Sequence, residues 1–137
     1  MRQESIQVLI VDDIPQVRKG LATMLSLASK NRQPTIEVVG EAQNGLEAIQ
    51  QAQKLRPDAI LMDLEMPVMN GLLATQSIKS MDPSIFVIIL TIHDDPASRQ
   101  EAARVGVDAF IEKSAPLAGL VRTIQGLKKE DCYKELK

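Results

Sequence analysis

Five short runs of β-branched and aliphatic residues alternate along the chain with segments in which apolar residues recur at helical spacing. The runs cover residues 6–11, 36–39, 59–62, 85–90 and 107–111, and the second is the weakest. Uninterrupted apolar runs of this length are typical of strands that are covered on both faces, as in a parallel sheet. We therefore predict five strands, most of them buried.

Three of the segments between and after these runs repeat their apolar residues at steps of three and four, which predicts amphipathic helices. Two further segments fill the remaining gaps, and the second of them has only a thin apolar face. Pro15 and Pro116 precede two of these segments, and proline suits a first helical turn. The predicted helices fall within residues 17–28, 46–55, 71–80, 97–104 and 117–127. Strand and helix thus alternate five times, and right-handed crossovers then give one parallel sheet with helices on both sides.

Composition and charge narrow the function classes. The 137 residues suit one compact domain, aromatic residues make up only 2%, and the net charge is -2. Neither base stacking nor an electrostatic nucleic-acid footprint is therefore supported. The single cysteine, Cys132, fits a reducing compartment. No apolar run approaches the ~20 residues of a membrane span, and the N-terminus lacks a signal-peptide core. We expect a soluble cytosolic domain without a membrane contact.

Carboxylates follow two of the predicted strands directly. Asp12 and Asp13 end the first run in "QVLIVDDIPQ", and Asp63 ends the third in "AILMDLEMPVMNG". Ligands of open α/β sheets bind beyond the carboxyl ends of the strands. If the first and third strands are neighbours, the three anions meet and repel one another unless a cation intervenes. Mg²⁺ is the natural candidate, and zinc is disfavoured because no histidine or cysteine lies nearby in sequence.

A hydroxyl and an ammonium follow two further strands. Thr91 closes the fourth run, and Lys113 comes shortly after the fifth. Together with the carboxylates they indicate an anion site for a phosphoryl group, in which Asp63 would be the nucleophile. Taken singly, such an aspartate is more often a turn or N-cap residue, and such a lysine is usually solvated. Five such residues at successive strand ends favour the functional interpretation.

Four segments of the chain resemble the receiver domain of two-component response regulators. They read "VLIVDDIPQVRKGL", "GEAQNGLEAI", "RPDAILMDLEMPVMNGLLAT" and "VGVDAFIEKSAP", and they occur in the family's order. The chain is most similar to the NarL/FixJ class, which carries a LuxR-type helix-turn-helix output domain. The resemblance implies a flavodoxin-like (CheY-like) three-layer sandwich, with a five-stranded parallel sheet of order 2-1-3-4-5 flanked by five helices.

The resemblance also implies the chemistry of the site. Asp63 matches the phosphoacceptor, which a sensor histidine kinase phosphorylates. Asp12 and Asp13 match the acidic pair that binds Mg²⁺ together with Asp63, and Glu65 matches the position that adds a backbone carbonyl. In this family the domain catalyses its own phosphorylation and dephosphorylation and is not an enzyme acting on an outside substrate.

Three positions match the residues that respond to phosphorylation. Thr91 matches the switch hydroxyl, Lys113 matches the lysine that pairs with the phosphoryl group, and Phe110 matches the switch aromatic. An ordinary core phenylalanine is the less favoured alternative for Phe110. Ile92 departs from the small residue that usually follows the switch threonine, so that access to Asp63 is expected to be reduced. His93 and Glu65 occupy positions that tune dephosphorylation, although His93 reads more simply as a solvated loop residue.

The resemblance sets expectations about organisation and partners. Residues 1–128 form the expected receiver domain, and residues 129–137 read as a charged tail, a helix extension or the start of a linker. No helix-turn-helix follows, which suggests either a truncated regulator or a single-domain one. The expected output is control of transcription, with DNA contacted only through an output domain absent from this chain. The resemblance leaves a homodimer open.

Two rival interpretations from other functional classes, and a flavin-binding flavodoxin, are each disfavoured by the sequence. A haloacid dehalogenase-type phosphatase would need a D-x-D arrangement after the first strand, whereas Asp12 and Asp13 are adjacent. A flavodoxin would need a phosphate-binding loop rich in Ser, Thr and Gly after the first strand, and the sequence has no such loop there. An interaction module that works without phosphorylation usually loses one of the five polar residues, and all five are present.

Overall fold

The computed structural model describes residues 5–92 and 94–136, with side chains described through residue 127. Five strands and five helices alternate along the chain. The strands are β1 (Ser5–Val11), β2 (Thr35–Ala42), β3 (Ala59–Met62), β4 (Phe86–Thr91) and β5 (Ala109–Glu112). The helices are α1 (Pro15–Ala28), α2 (Gly45–Leu55), α3 (Gly71–Met81), α4 (Pro96–Arg104) and α5 (Leu117–Leu136).

All neighbouring strands pair in parallel, and the sheet has the order β2-β1-β3-β4-β5. The predicted fold class and strand order are therefore confirmed. The order reverses between β1 and β3, and this reversal places the carboxyl ends of these two strands side by side. Val11, the last residue of β1, pairs with Met62, the last residue of β3.

Both faces of the sheet are covered, which explains the uninterrupted apolar runs. Val8 and Ile10 of β1 pack with α1 and α5 in one cluster, whereas Leu9 and Val11 pack with α2 and α3 in the other. All four side chains are at most 1% exposed. Full burial of such a side chain stabilises the fold by about 1.5–3 kcal/mol. The sheet is thus a rigid base for the loops at its carboxyl edge.

Two strands, β2 and β5, differ from the predicted ranges by more than one residue at one end. The β2 strand continues past Val39 to Ala42, because its pairing with β1 skips a residue between the Val8 and Leu9 partners and then resumes at Gly40. Backbone pairing sustains this strand where the side chains lack β propensity. The β5 strand starts at Ala109 and not at residue 107, because Val107 donates its N–H to Ala102 in the turn after α4.

Helix ends follow the expected capping chemistry. Asn44 and Asn70 cap α2 and α3 by accepting a hydrogen bond from the backbone three residues on, and Asp95 does the same for α4. The α5 helix continues through Leu136, which agrees with a helix extension for most of residues 129–137, while Lys137 lies outside the described residues. In the described part of the chain, no helix combines the length and apolar character needed to cross a membrane.

Candidate functional site

Three carboxylates meet at the carboxyl edge of the sheet, where β1 and β3 end side by side. Asp63 donates its backbone N–H to the carbonyl of Val11 at 2.9 Å, so that it begins its loop in register with Asp12. Carboxylate oxygens of Asp12, Asp13 and Asp63 all lie within 4.8 Å of one another. The structure thus brings together the three acidic residues that the sequence pointed to.

The first two carboxylates have different surroundings. Asp12 is 3% exposed, and its Oδ1 accepts the backbone N–H of Ile14 at 2.9 Å. Asp13 is exposed. The carboxylate of Asp12 is therefore held in place on the buried side of the site, whereas Asp13 lies on the side that faces solvent.

Lys113 reaches the carboxylates from the loop after β5. Its backbone N–H donates to the carbonyl of Thr91 at 2.7 Å, which extends the β4–β5 pairing beyond the strands. The ammonium Nζ lies 2.8 Å from Oδ2 of Asp12 and 3.7 Å from Oδ1 of Asp63. The expected approach to Asp63 is present, but the hydrogen bond goes to Asp12. The cation is thus shared between two of the three anions.

Burial and charge set the protonation of the site. The pKa of Asp63 is raised from 3.8 to about 6, mainly because burial desolvates its carboxylate; the charges of Asp12 and Asp13 add to the shift, whereas Lys113 and the N–H of Glu65 oppose it. Burial alone would lower the pKa of Lys113, but its contacts with Asp12 and Asp63 outweigh burial and raise that pKa above its usual value. Lys113 therefore stays charged at neutral pH, and Asp63 loses its proton at a higher pH than an ordinary aspartate does.

The donor set fits a hard divalent cation. Each of the three residues offers a carboxylate oxygen, and the side chain of Asp63 is only 11% exposed. Clustered anions that raise one another's pKa gain most from a bound cation, and Mg²⁺ prefers a few carboxylates plus water. The arrangement can therefore hold Mg²⁺. The expected role of the Glu65 carbonyl as a ligand stays a prediction.

The predicted switch residues lie on the two strands next to the site. Thr91 ends β4 and is 1% exposed, whereas Phe110 of β5 is half-buried against the cluster under α2 and α3. The guanidinium of Arg99, on α4, lies 4.8 Å from the centre of the Phe110 ring and pairs with Asp94. No pattern along the chain predicts this contact of Arg99, because it joins a helix to the strand that follows it.

The residue after Thr91 projects into solvent. The side chain of Ile92 is 69% exposed, which leaves little packing for it to contribute. His93, for which two interpretations were open, lies outside the described residues.

Gly71 was missed by the sequence analysis although it adjoins Asp63. A Cβ atom at this position would lie 2.2 Å from the backbone oxygen of Asp63. The N–H of Gly71 donates to Leu64 at 3.0 Å, so that the start of α3 is held tightly against the loop after β3. The sequence signal was the pair Asn70-Gly71, in which a helix cap precedes a residue without a side chain.

Comparison with known proteins gives a consistent result. A family model described as "Response regulator receiver domain" matches residues 8–125. The transcriptional regulatory protein LnrK of Bacillus subtilis is 37% identical over 119 residues, which cover 87% of this chain and 52% of LnrK. The chain spans about half the length of the curated relatives it matches.

Solved structures share the fold. A LuxR-family two-component response regulator from Aurantimonas sp. superposes with a TM-score of 0.80 at 27% identity, over 98% of this chain and 100% of that one. The isolated receiver domain of RcsB from Salmonella enterica, determined with the phosphomimetic BeF3-, gives a TM-score of 0.79 at 26% identity. That superposition covers 92% of this chain and 90% of the RcsB chain.

Proposed function

This chain belongs to the family of response regulator receiver domains, and we propose that within it Asp63 accepts a phosphoryl group from a sensor histidine kinase. The observation that carries this proposal is the cluster of Asp12, Asp13 and Asp63 within 4.8 Å, with the Lys113 ammonium between two of its members. A surface turn does not require three adjacent anions and a shared cation.

In the transfer step, a carboxylate oxygen of Asp63 attacks the phosphorus of a phosphohistidine. The new O–P bond forms as the N–P bond breaks, and the electron pair of the N–P bond stays on the imidazole nitrogen. With a pKa of about 6, Asp63 is mostly ionised at neutral pH and can act as the nucleophile. Lys113, whose ammonium lies 3.7 Å from Asp63, would neutralise a phosphoryl oxygen.

Mg²⁺ is the cofactor that suits this site. Asp12, Asp13 and Asp63 would hold it, with the backbone carbonyl of Glu65 as a further proposed ligand. When bound, the ion supplies positive charge for the oxygens of the transferring group. The protein itself would fix the acceptor at the edge of the sheet, and the side chains of Asp12 and Thr91 at neighbouring strand ends are buried.

The aspartyl phosphate would act as a signal through a change of conformation. We propose that Thr91 turns toward the phosphoryl group and that Phe110 responds on the neighbouring strand. RcsB, whose receiver domain was solved with BeF3-, and LnrK, named a transcriptional regulator, support a phosphorylation switch that controls transcription. Contact with DNA would need a part of the protein beyond this chain.

The test is intact mass spectrometry after incubation with phosphoramidate, a small phosphodonor. We expect wild-type protein to gain the mass of one HPO3 unit with Mg²⁺ and to gain little after EDTA treatment. Asp63→Asn, which is nearly isosteric but not nucleophilic, should gain nothing while keeping its fold. A wild-type protein that never gains mass would favour an interaction module that works without phosphorylation.

A further inference from the structure

Arg18 joins helix α1 to the carboxyl ends of β1 and β2, behind the acidic site. Its Nη1 donates to the backbone carbonyl of Asp12 at 2.6 Å, and its Nε donates to Oε1 of Glu41 at 2.9 Å. The side chain is 14% exposed. One guanidinium therefore connects the loop that carries the acidic pair with the neighbouring edge strand.

The contact with Asp12 restrains more than one residue. The carbonyl of Asp12 belongs to the peptide plane that also contains the backbone nitrogen of Asp13, and this plane is rigid. The hydrogen bond to this carbonyl therefore fixes the orientation of the Asp13 backbone relative to Asp12. The other polar groups of Asp12 are held separately, by the carbonyl of Ala42 at its N–H and by Ile14 and Lys113 at its carboxylate.

We propose that Arg18 is a positioning residue for the divalent cation. Arg18 orients the Asp12–Asp13 peptide so that the carboxylates of both residues face Asp63. Its charge is balanced by Glu41, so that Arg18 acts through geometry and not by repelling the cation. A guanidinium suits this role because its rigid fork can donate to two acceptors at once. The inference rests on the proposed function, since it assumes that the acidic cluster binds Mg²⁺.

The expected effect is a weaker cation site in an intact fold. Residues that orient metal ligands typically cost 10–100-fold in affinity when they are removed. We expect Arg18→Ala to weaken Mg²⁺ binding by about tenfold. Arg18→Lys keeps the charge but not the fork and should lose less. Lys19→Ala, an exposed change one residue further along α1, is the matched control and should bind as wild type does.

The experiment is calorimetric titration of each protein with MgCl2, accompanied by thermal unfolding and by phosphoramidate reactions over a range of Mg²⁺ concentrations. A positioning role predicts that Arg18→Ala reacts slowly at low Mg²⁺ and recovers most of the wild-type rate at saturating Mg²⁺. A purely structural role would lower the melting temperature and leave the Mg²⁺ affinity unchanged, which would overturn the inference. If Arg18→Ala does not fold, Arg18→Lys decides by the same two readouts. A wild-type protein that binds no Mg²⁺ would instead refute the proposed function.

Discussion

At the residue scale, Gly71 allows helix α3 to pack closely against the backbone of Asp63, the proposed phosphoacceptor. Because a Cβ there would lie 2.2 Å from the backbone oxygen of Asp63, Gly71→Ala must displace either α3 or the loop that carries Asp63. We expect lower thermal stability together with slower phosphorylation. Gly20→Ala is the control, since a Cβ at Gly20 meets nothing within 4 Å inside α1. It should stabilise the fold by up to about 1 kcal/mol, and equal melting temperatures for both variants would contradict the close contact.

The carboxyl of Asp63 links the site to the stability of the fold. Its pKa is about 6 in the folded protein against 3.8 for an unperturbed carboxyl, so the folded state binds the proton more tightly. Stability from this group is therefore present at low pH and is lost as the pH rises from about 4 to about 6. In EDTA, Asp63→Asn should be more stable than wild type by up to about 2 kcal/mol above pH 6 and about equally stable below pH 4. Denaturant unfolding across this range checks the prediction, and a difference independent of pH would contradict it.

Ile92 is expected to shield the acyl phosphate. It is stiff at χ1 and follows Thr91 directly, yet 69% of its surface is exposed. Ile92→Ala should therefore shorten the lifetime of the phosphorylated protein and speed phosphorylation by small donors, with almost no change in melting temperature. An unchanged lifetime with a lowered melting temperature would show that Ile92 contributes packing and does not restrict access.

At the scale of elements, α4 is the least anchored helix for which burial is described along its full length. Ala102 is its one buried residue, and Arg99 adds the contact with Phe110. Arg99→Ala should therefore speed hydrogen exchange of the α4 amides several-fold and leave α2 unchanged. Arg104→Ala is the matched control, because Arg104 pairs with Glu101 on the same helix and its side chain is 72% exposed. Equal exchange in both variants would show that Arg99 does not hold α4 to β5.

At the scale of the whole molecule, the parallel sheet was predictable because it follows from patterns along the chain, whereas its strand order was implied by the resemblance to receiver domains. The run that contains Val8 and Leu9 must be covered on both faces, and crossover rules leave few arrangements for five such runs. The start of β5 was not predictable, since Val107 is as apolar as a strand residue and only its hydrogen bond to Ala102 assigns it to a turn.

The acidic residues, Thr91 and Lys113 of the candidate site were predicted from the sequence. Which charged side chains pair with one another in the folded protein was not predicted. Lys113 has a flexible stem and two anions within reach, so that its preference for Asp12 over Asp63 depends on distances of about an ångström. Arg18 pairs with Glu41, 23 residues away, and no local pattern points to that contact. Sequence spacing locates strand ends, whereas the choice among nearby partners is a property of the folded chain.

We expect Asp63, and no other carboxylate of the cluster, to become phosphorylated. The most direct measurement treats wild-type protein with phosphoramidate and Mg²⁺, reduces the acyl phosphate with borohydride to the corresponding alcohol, and locates that alcohol by peptide mass spectrometry. Trypsin separates the candidates, because Asp63 lies in the peptide of residues 55–79 and the acidic pair lies in that of residues 3–18. Phosphorylation of Asp63 predicts the alcohol at that residue, with little of it when Mg²⁺ is removed. An alcohol at Asp12 or Asp13, or none at all under conditions in which the protein gains mass, would contradict it.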